Sequence, residues 1–269
     1  MRFVIDASDE LIPSVPPPGG SPARTSPSTQ VRVRLEEWPG EVFRLWLPES
    51  VGDLWNNHTP ELTHQDFAAT EAGGLRWQWL GHPAAIVETT VTPHGDTLAL
   101  EARVTNRSDG PLANVRVSHC LQLSQAPGFA CGDLSRLFSW SDGRWRTLAE
   151  LKPATGYPHF FRAGVREAGG LGEWEARLAH LHEPGAADHP LIVCVATDGV
   201  RAVGTASEDY RFLFHNRANA HLWCIHSQQS AVAMLAPRET AVFRQTVYFS
   251  EHGLAGCAAA FEASGSGRR

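Results

Sequence analysis

Four short runs of this chain gather residue types that move protons, hold anions or ligate metals. The first is Trp55-Asn56-Asn57-His58-Thr59-Pro60, followed by His64-Gln65-Asp66. Amides and carboxylates offer paired donors and acceptors to adjacent hydroxyls, tryptophan offers a flat apolar face, and imidazole exchanges protons near neutral pH. His58 is therefore a candidate catalytic group, with Asn57, His64 and Asp66 as candidate substrate-binding groups. The same residue types also build polar turns that cap themselves.

The second run, Gly156-Tyr157-Pro158-His159-Phe160-Phe161-Arg162, sets a phenol, an imidazole and a guanidinium within reach of one substrate. Tyr157 or His159 could remove a proton while Arg162 neutralises a carboxylate, the arrangement that an elimination on a uronic acid requires. An aromatic loop over a sheet edge would read the same way. In the third run, Trp174 to His182, the histidines His180 and His182 share a strand face and could both ligate one divalent metal. The fourth run holds Arg217, His221 and His226, and alternation puts His226 with Leu222 and Cys224 on one face. His226, at a strand end, is the better candidate for chemistry, with Arg217 as a clamp. His119 falls among apolar positions of its own strand and reads as a core histidine.

The elements that must position these groups are strands. In Thr97 to Ser124, Leu98, Leu100, Ala102 and Val104 share one face, and after a polar turn Val115, Val117, His119, Leu121 and Leu123 share another. Further strands are expected at Val31 to Leu35, Glu41 to Leu47, Leu75 to Leu80, Ala85 to Thr92, Leu98 to Val104 and Ala113 to Leu123. Later ones fall at Arg144 to Leu148, Gly172 to His182, Leu191 to Ala196, Arg201 to Ala206, His221 to Ile225 and Ala241 to Phe249. Asp142-Gly143 and Asp198-Gly199 are the clearest tight turns. Asp133 to Phe138 and Leu254 to Glu262 are the candidates for short helices. About a dozen strands with little helix imply an all-β fold, a large antiparallel β-sandwich. One domain is expected over 30–262, after a flexible Pro/Ser-rich segment, 1–29, and before a flexible tail, 263–269.

Bulk numbers narrow the partners. A net charge of −6 with 19% charged residues provides no basic surface for nucleic acid. The longest apolar stretches, such as Leu191 to Ala196, are far short of a membrane span. The five cysteines are scattered without a C-x-x-C pair, which suggests neither a disulfide framework nor a zinc knuckle and points to a reducing cytoplasm. A secreted chain whose signal peptide had been removed would look alike. An oligomer is compatible with all of this. Trp77 and Trp79 alternate on one strand face, and packing is their expected use.

The strand ending in Val104-Thr105-Asn106, then Ser108-Asp109-Gly110-Pro111-Leu112, then Asn114-Val115 opening a second strand, resembles the β-supersandwich of galactose mutarotase. Related domains occur in glycoside hydrolases and polysaccharide lyases. Ala236-Pro237-Arg238-Glu239-Thr240 and the strand after it are similar to the last strand of many sandwich domains. The resemblance implies a carbohydrate ligand and, in mutarotases, a histidine acid with a carboxylate base. The reading that follows is a carbohydrate-active β-sandwich protein, mutarotase- or epimerase-like, working by histidine acid-base chemistry through His58, His159 and His226. Two alternatives stay open: a noncatalytic carbohydrate-binding or assembly module, and a metal-dependent polysaccharide lyase.

Overall fold

The computed structural model describes residues 1–8, 30–52, 54–56, 63–64, 67–80, 82–153, 159–162, 182–216 and 223–265. At 30, 55–56, 63–64, 80, 159 and 182–186 only the backbone is described. Among these residues the chain forms two large sheets, a two-stranded ribbon and one α-helix.

In spatial order the first sheet contains β1 (Phe3–Ser8), β2 (Gln30–Leu35), β3 (Phe43–Val51), β11 (Val117–Gln122), β19 (Cys224–Gln229), β18 (Tyr210–Asn216), β14 (His159–Arg162) and β15 (His182–Ala187). A short β4 (Trp55–Asn56) adds to β3. The second sheet runs β13 (Arg144–Thr147), β12 (Leu137–Ser141), β16 (Ile192–Val195), β17 (Ala202–Ser207), β21 (Thr240–Ser250), β9 (Thr97–Asn106), β8 (Ala85–His94), β7 (Leu75–Leu80) and β5 (Thr63–His64). There β6 (Ala68–Ala69) adds to β7, and β10 (Leu112–Val115) with β20 (Val232–Leu235) forms the ribbon. Pairing is antiparallel except between β14 and β15.

Alternation explains both sheets. Along β8 and β9 buried and more open positions alternate, as a strand with one face on the core requires. Val31, Leu45, Val117, Leu213 and Ile225 of the first sheet meet Trp77, Val87, Leu100, Val203 and Val247 of the second in one apolar cluster. Trp38, Phe43, Phe129 and Phe249 pack ring on ring at one end, with centroids 5.1 to 6.2 Å apart. The helix α1 (Gly253–Ala263) lays Cys257 and Phe261 on the outer face of the second sheet, against Leu191, Val193, Ala202 and Tyr248. No helix among the described residues is long and apolar enough to cross a membrane.

The sandwich and the helix near the C-terminus follow the sequence expectations, while several details differ. The strand expected at His221 to Ile225 is instead Cys224–Gln229, so His226 lies inside it and not at its end, and the strands at His159–Arg162 and Tyr210–Asn216 are additional to those expected. Ala113 to Leu123 is two strands in different layers, because the chain breaks at Arg116 and β10 leaves to pair with β20. Asp133 to Phe138 is not helical: the Asp133 carboxylate accepts from the Ser135 amide and hydroxyl in a local turn, and the strand β12 starts at Leu137. Phe3–Ser8, within the segment placed before the domain, pairs with β2 along its whole length. The rest of that segment, most of Gly172 to His182 and the tail from 266 lie outside the described residues.

His119 does lie in the interior, 2% exposed. Neither ring nitrogen has a hydrogen-bond partner among the described residues. Burial lowers its pKa from 6.5 to about 3, so the folded protein holds the ring neutral while the unfolded chain protonates it. Its contribution is therefore full above pH 6.5 and is lost progressively as pH falls from 6.5 towards 3. His119→Leu should raise stability at neutral pH by roughly 1 kcal/mol or more and flatten this acid loss. Urea denaturation at pH 7 and pH 5 would check both effects.

Candidate functional site

The first sheet has an unusual second face. Positions of β3, β11, β19 and β18 that point away from the sandwich core are buried almost as fully as the core itself. Trp46 is 5% exposed, Cys120 1%, Gln122 1%, Cys224 3%, His226 3% and Gln228 5%. Trp46, Cys120 and Cys224 form an apolar cluster with Phe214 packed against it.

A register irregularity brings a carboxylate to this face. Ser118 pairs with Ser50 and Cys120 with Trp46, so one residue of β11, His119, stands opposite three of β3, Leu47, Pro48 and Glu49. Such a bulge breaks strict alternation and re-aims side chains, and proline, which has no ladder N–H, is at home in one. The Ser118 hydroxyl donates to Glu49 Oε2 at 3.4 Å. The same oxygen lies 3.6 Å from His226 Nδ1.

His226 is held from every side. Its ring packs on Phe214 with centroids 4.7 Å apart, and its Nε2 lies 3.1 Å from Cys224 Sγ. Nδ1 thus faces a carboxyl and Nε2 faces sulfur. Desolvation lifts the Glu49 carboxyl to about 7, against the pull of the Ser118 hydroxyl, although 27% of its side chain still meets solvent. Glu49 can therefore hold or release a proton near neutral pH. Desolvation first, then the neighbouring Cys224 thiol, push the Cys120 thiol well above its ordinary value.

The backbone register also orders the expected histidines. His226 pairs with Phe214, Phe214 with His159, and His159 with His182, so three of them lie on one line across the first sheet. At roughly 4.8 Å between strands, His159 and His226 stand about 10 Å apart. His64 belongs to the other sheet, opposite Trp79. Arg162 sits at a strand end, 3.9 Å from Asp209 Oδ1 and over the Tyr210 ring, not beside His226. His58, Tyr157, Asn57, Asp66, Arg217 and His180 lie outside the described residues.

Sequence reading missed Glu49, Cys120, Gln122 and Trp46 as parts of this cluster. One signal was present: Pro48-Glu49 inside a strand marks a bulge, where parity no longer assigns the face. A second was Cys224-x-His226, which places a thiol and an imidazole side by side.

No family model matches the chain, and no curated protein matches it by sequence. Among the solved structures similar to it are galactose mutarotase-like and aldose 1-epimerase proteins. A galactose mutarotase related enzyme from Lactobacillus acidophilus is 9% identical over 84% of this chain and 96% of that one, with a TM-score of 0.48. A galactose mutarotase-like protein from Clostridium acetobutylicum is 12% identical over 72% and 68%, with a TM-score of 0.37. A protein from Synechocystis sp. PCC 6803 is 11% identical over 85% and 82%, with a TM-score of 0.45. The site is accordingly read from its own residues.

All five cysteines are buried and unbridged. A bulky thiol reagent should therefore react slowly with the folded protein and titrate five thiols after denaturation in the presence of chelator. Fast native labelling, or fewer than five thiols in the denatured chain, would contradict this arrangement.

Proposed function

We propose that the protein is carbohydrate-active, of the epimerase or mutarotase kind, and that its sugar sits against the outer face of the first sheet at Glu49. The observation that carries this reading is the carboxyl of Glu49 meeting the imidazole of His226 on a buried polar face outside the sandwich core. Trp46, Phe214, Ser118 and Gln228 give that face the mixture of apolar surface and hydrogen-bonding groups that a sugar ring needs.

In an anomer exchange, one group takes the proton of the anomeric hydroxyl and another protonates the ring oxygen. The bond between the anomeric carbon and the ring oxygen breaks, and the open-chain aldehyde closes again on its other face. Glu49, partly open to solvent, takes the first proton, while the His226 Nδ1–H stabilises its carboxylate. His159 stands two strands beyond His226 on the same line of the sheet, about 10 Å from it, and is the second protic group in this proposal. His58 and Tyr157 are its alternatives. Asn57, Asp66 and Arg217 remain proposed sugar contacts, whereas His64, on the second sheet, and Arg162, beside Asp209, are not at this face.

The test is anomer exchange of common aldoses followed by polarimetry or NMR, together with binding measured by saturation transfer. Glu49→Gln should lower exchange by about 10²- to 10⁴-fold with less effect on binding. His226→Gln should lower it by a smaller factor. Sugar binding without exchange would favour a noncatalytic module, and the absence of both would sink the reading.

A further inference from the structure

We infer that Cys120, Cys224 and His226 form a binding site for one soft divalent cation of the Zn2+ type, with Glu49 holding the imidazole from behind. The site shares a face with the proposed sugar site but stands on its own ligands, so it does not depend on any sugar binding there.

Geometry is the first support. One sulfur from each cysteine and one ring nitrogen of His226 lie within 4.8 Å of one another. Around a tetrahedral zinc, bonds of about 2.3 Å to sulfur and 2.0–2.1 Å to nitrogen set such ligand atoms about 3.5–3.8 Å apart. Small side-chain rotations close that difference. The ligands come from β11 and β19, two adjacent strands in the middle of the sheet, with Gln122 paired to Cys224 and Leu121 to Ile225. Such a frame is rigid, as a preformed site requires.

The chemistry of the donors selects the ion. Two thiolates and an imidazole are soft ligands, unsuited to Mg2+ or Ca2+. Each thiol loses its proton to solvent on binding, so two protons leave for every cation and no electron moves. Two thiolates and a neutral imidazole then balance a divalent ion. That neutrality matters where all three ligands are at most 3% exposed, since a buried net charge is costly. Counted over the three ligands alone, a monovalent ion would leave one negative charge behind.

The surroundings fit as well. The nitrogen of His226 that faces sulfur is Nε2, and the other faces Glu49 at 3.6 Å. A carboxylate on the far nitrogen fixes the tautomer and the ring orientation of metal-bound histidines. One buried donor beside the sulfurs also lacks an acceptor: Trp46 packs in the same cluster as both cysteines, and its Nε1 has no hydrogen-bond partner among the described residues. A thiolate would supply that acceptor. Three protein ligands leave a fourth position for water or a hydroxyl.

The experiment uses the full chain, reduced and stripped of metal by chelator, titrated with Co2+ as a spectroscopic stand-in. One equivalent should saturate it, producing a thiolate-to-cobalt charge-transfer band and the visible bands of a four-coordinate ion. Zn2+ should abolish both spectra and raise Tm. Cys120→Ser and Cys224→Ser should each weaken the charge-transfer band. Glu49→Gln should retain the band while binding about 10–100-fold more weakly. A folded wild-type protein showing no thiolate band overturns the proposal, as does a band of full intensity in both cysteine variants. The wild-type titration decides the matter even if a variant fails to fold.

Discussion

Opposite His119, the third strand carries Leu47, Pro48 and Glu49 where an even ladder would carry one residue. The carboxyl on the outer face of the first sheet depends on that irregularity. In an unbroken strand, Glu49 and Ser50 would point to opposite faces. With the bulge, Glu49 reaches Ser118 and His226, and the alternation of Phe43, Leu45 and Leu47 into the core is kept. The local disturbance brings a carboxyl to an imidazole without moving either from its strand.

The rest of the molecule makes that contact possible by division of labour. The second sheet buries one face on the common core and, at the helix end, the other under Cys257 and Phe261. Apolar packing is thus concentrated between the sheets and under the helix. The first sheet shares the same core but keeps amides, thiols, a carboxyl and an imidazole on its outer side. Polar groups buried in this way usually have partners. Beside Cys120 and Cys224, Trp46 Nε1 lacks one among the described residues.

Much of the fold was legible because period-two alternation in β8, β9 and β21 is strong and the turns are marked. Asp142 and Gly143 both take positive φ between Ser141 and Arg144, the geometry that Asp-Gly signals. The division of Ala113 to Leu123 between two layers was not legible, since Val115 and Val117 keep one parity across the break. The site was legible in part. His226 could be singled out among the histidines of its run, although it lies inside β19 and not at a strand end, whereas Glu49 could not, because parity fails at Pro48. Cys120 meets Cys224 and His226 only through pairing of strands that are a hundred residues apart in sequence.

The central claim is that the bulge couples Glu49 to His226, and a double-mutant cycle on folding stability tests it directly. Glu49→Gln, His226→Gln and the double variant should show a coupling of about 0.5–3 kcal/mol, the range for side chains in contact. Additivity within about 0.3–0.5 kcal/mol would mean that the two side chains do not meet, and would contradict the account.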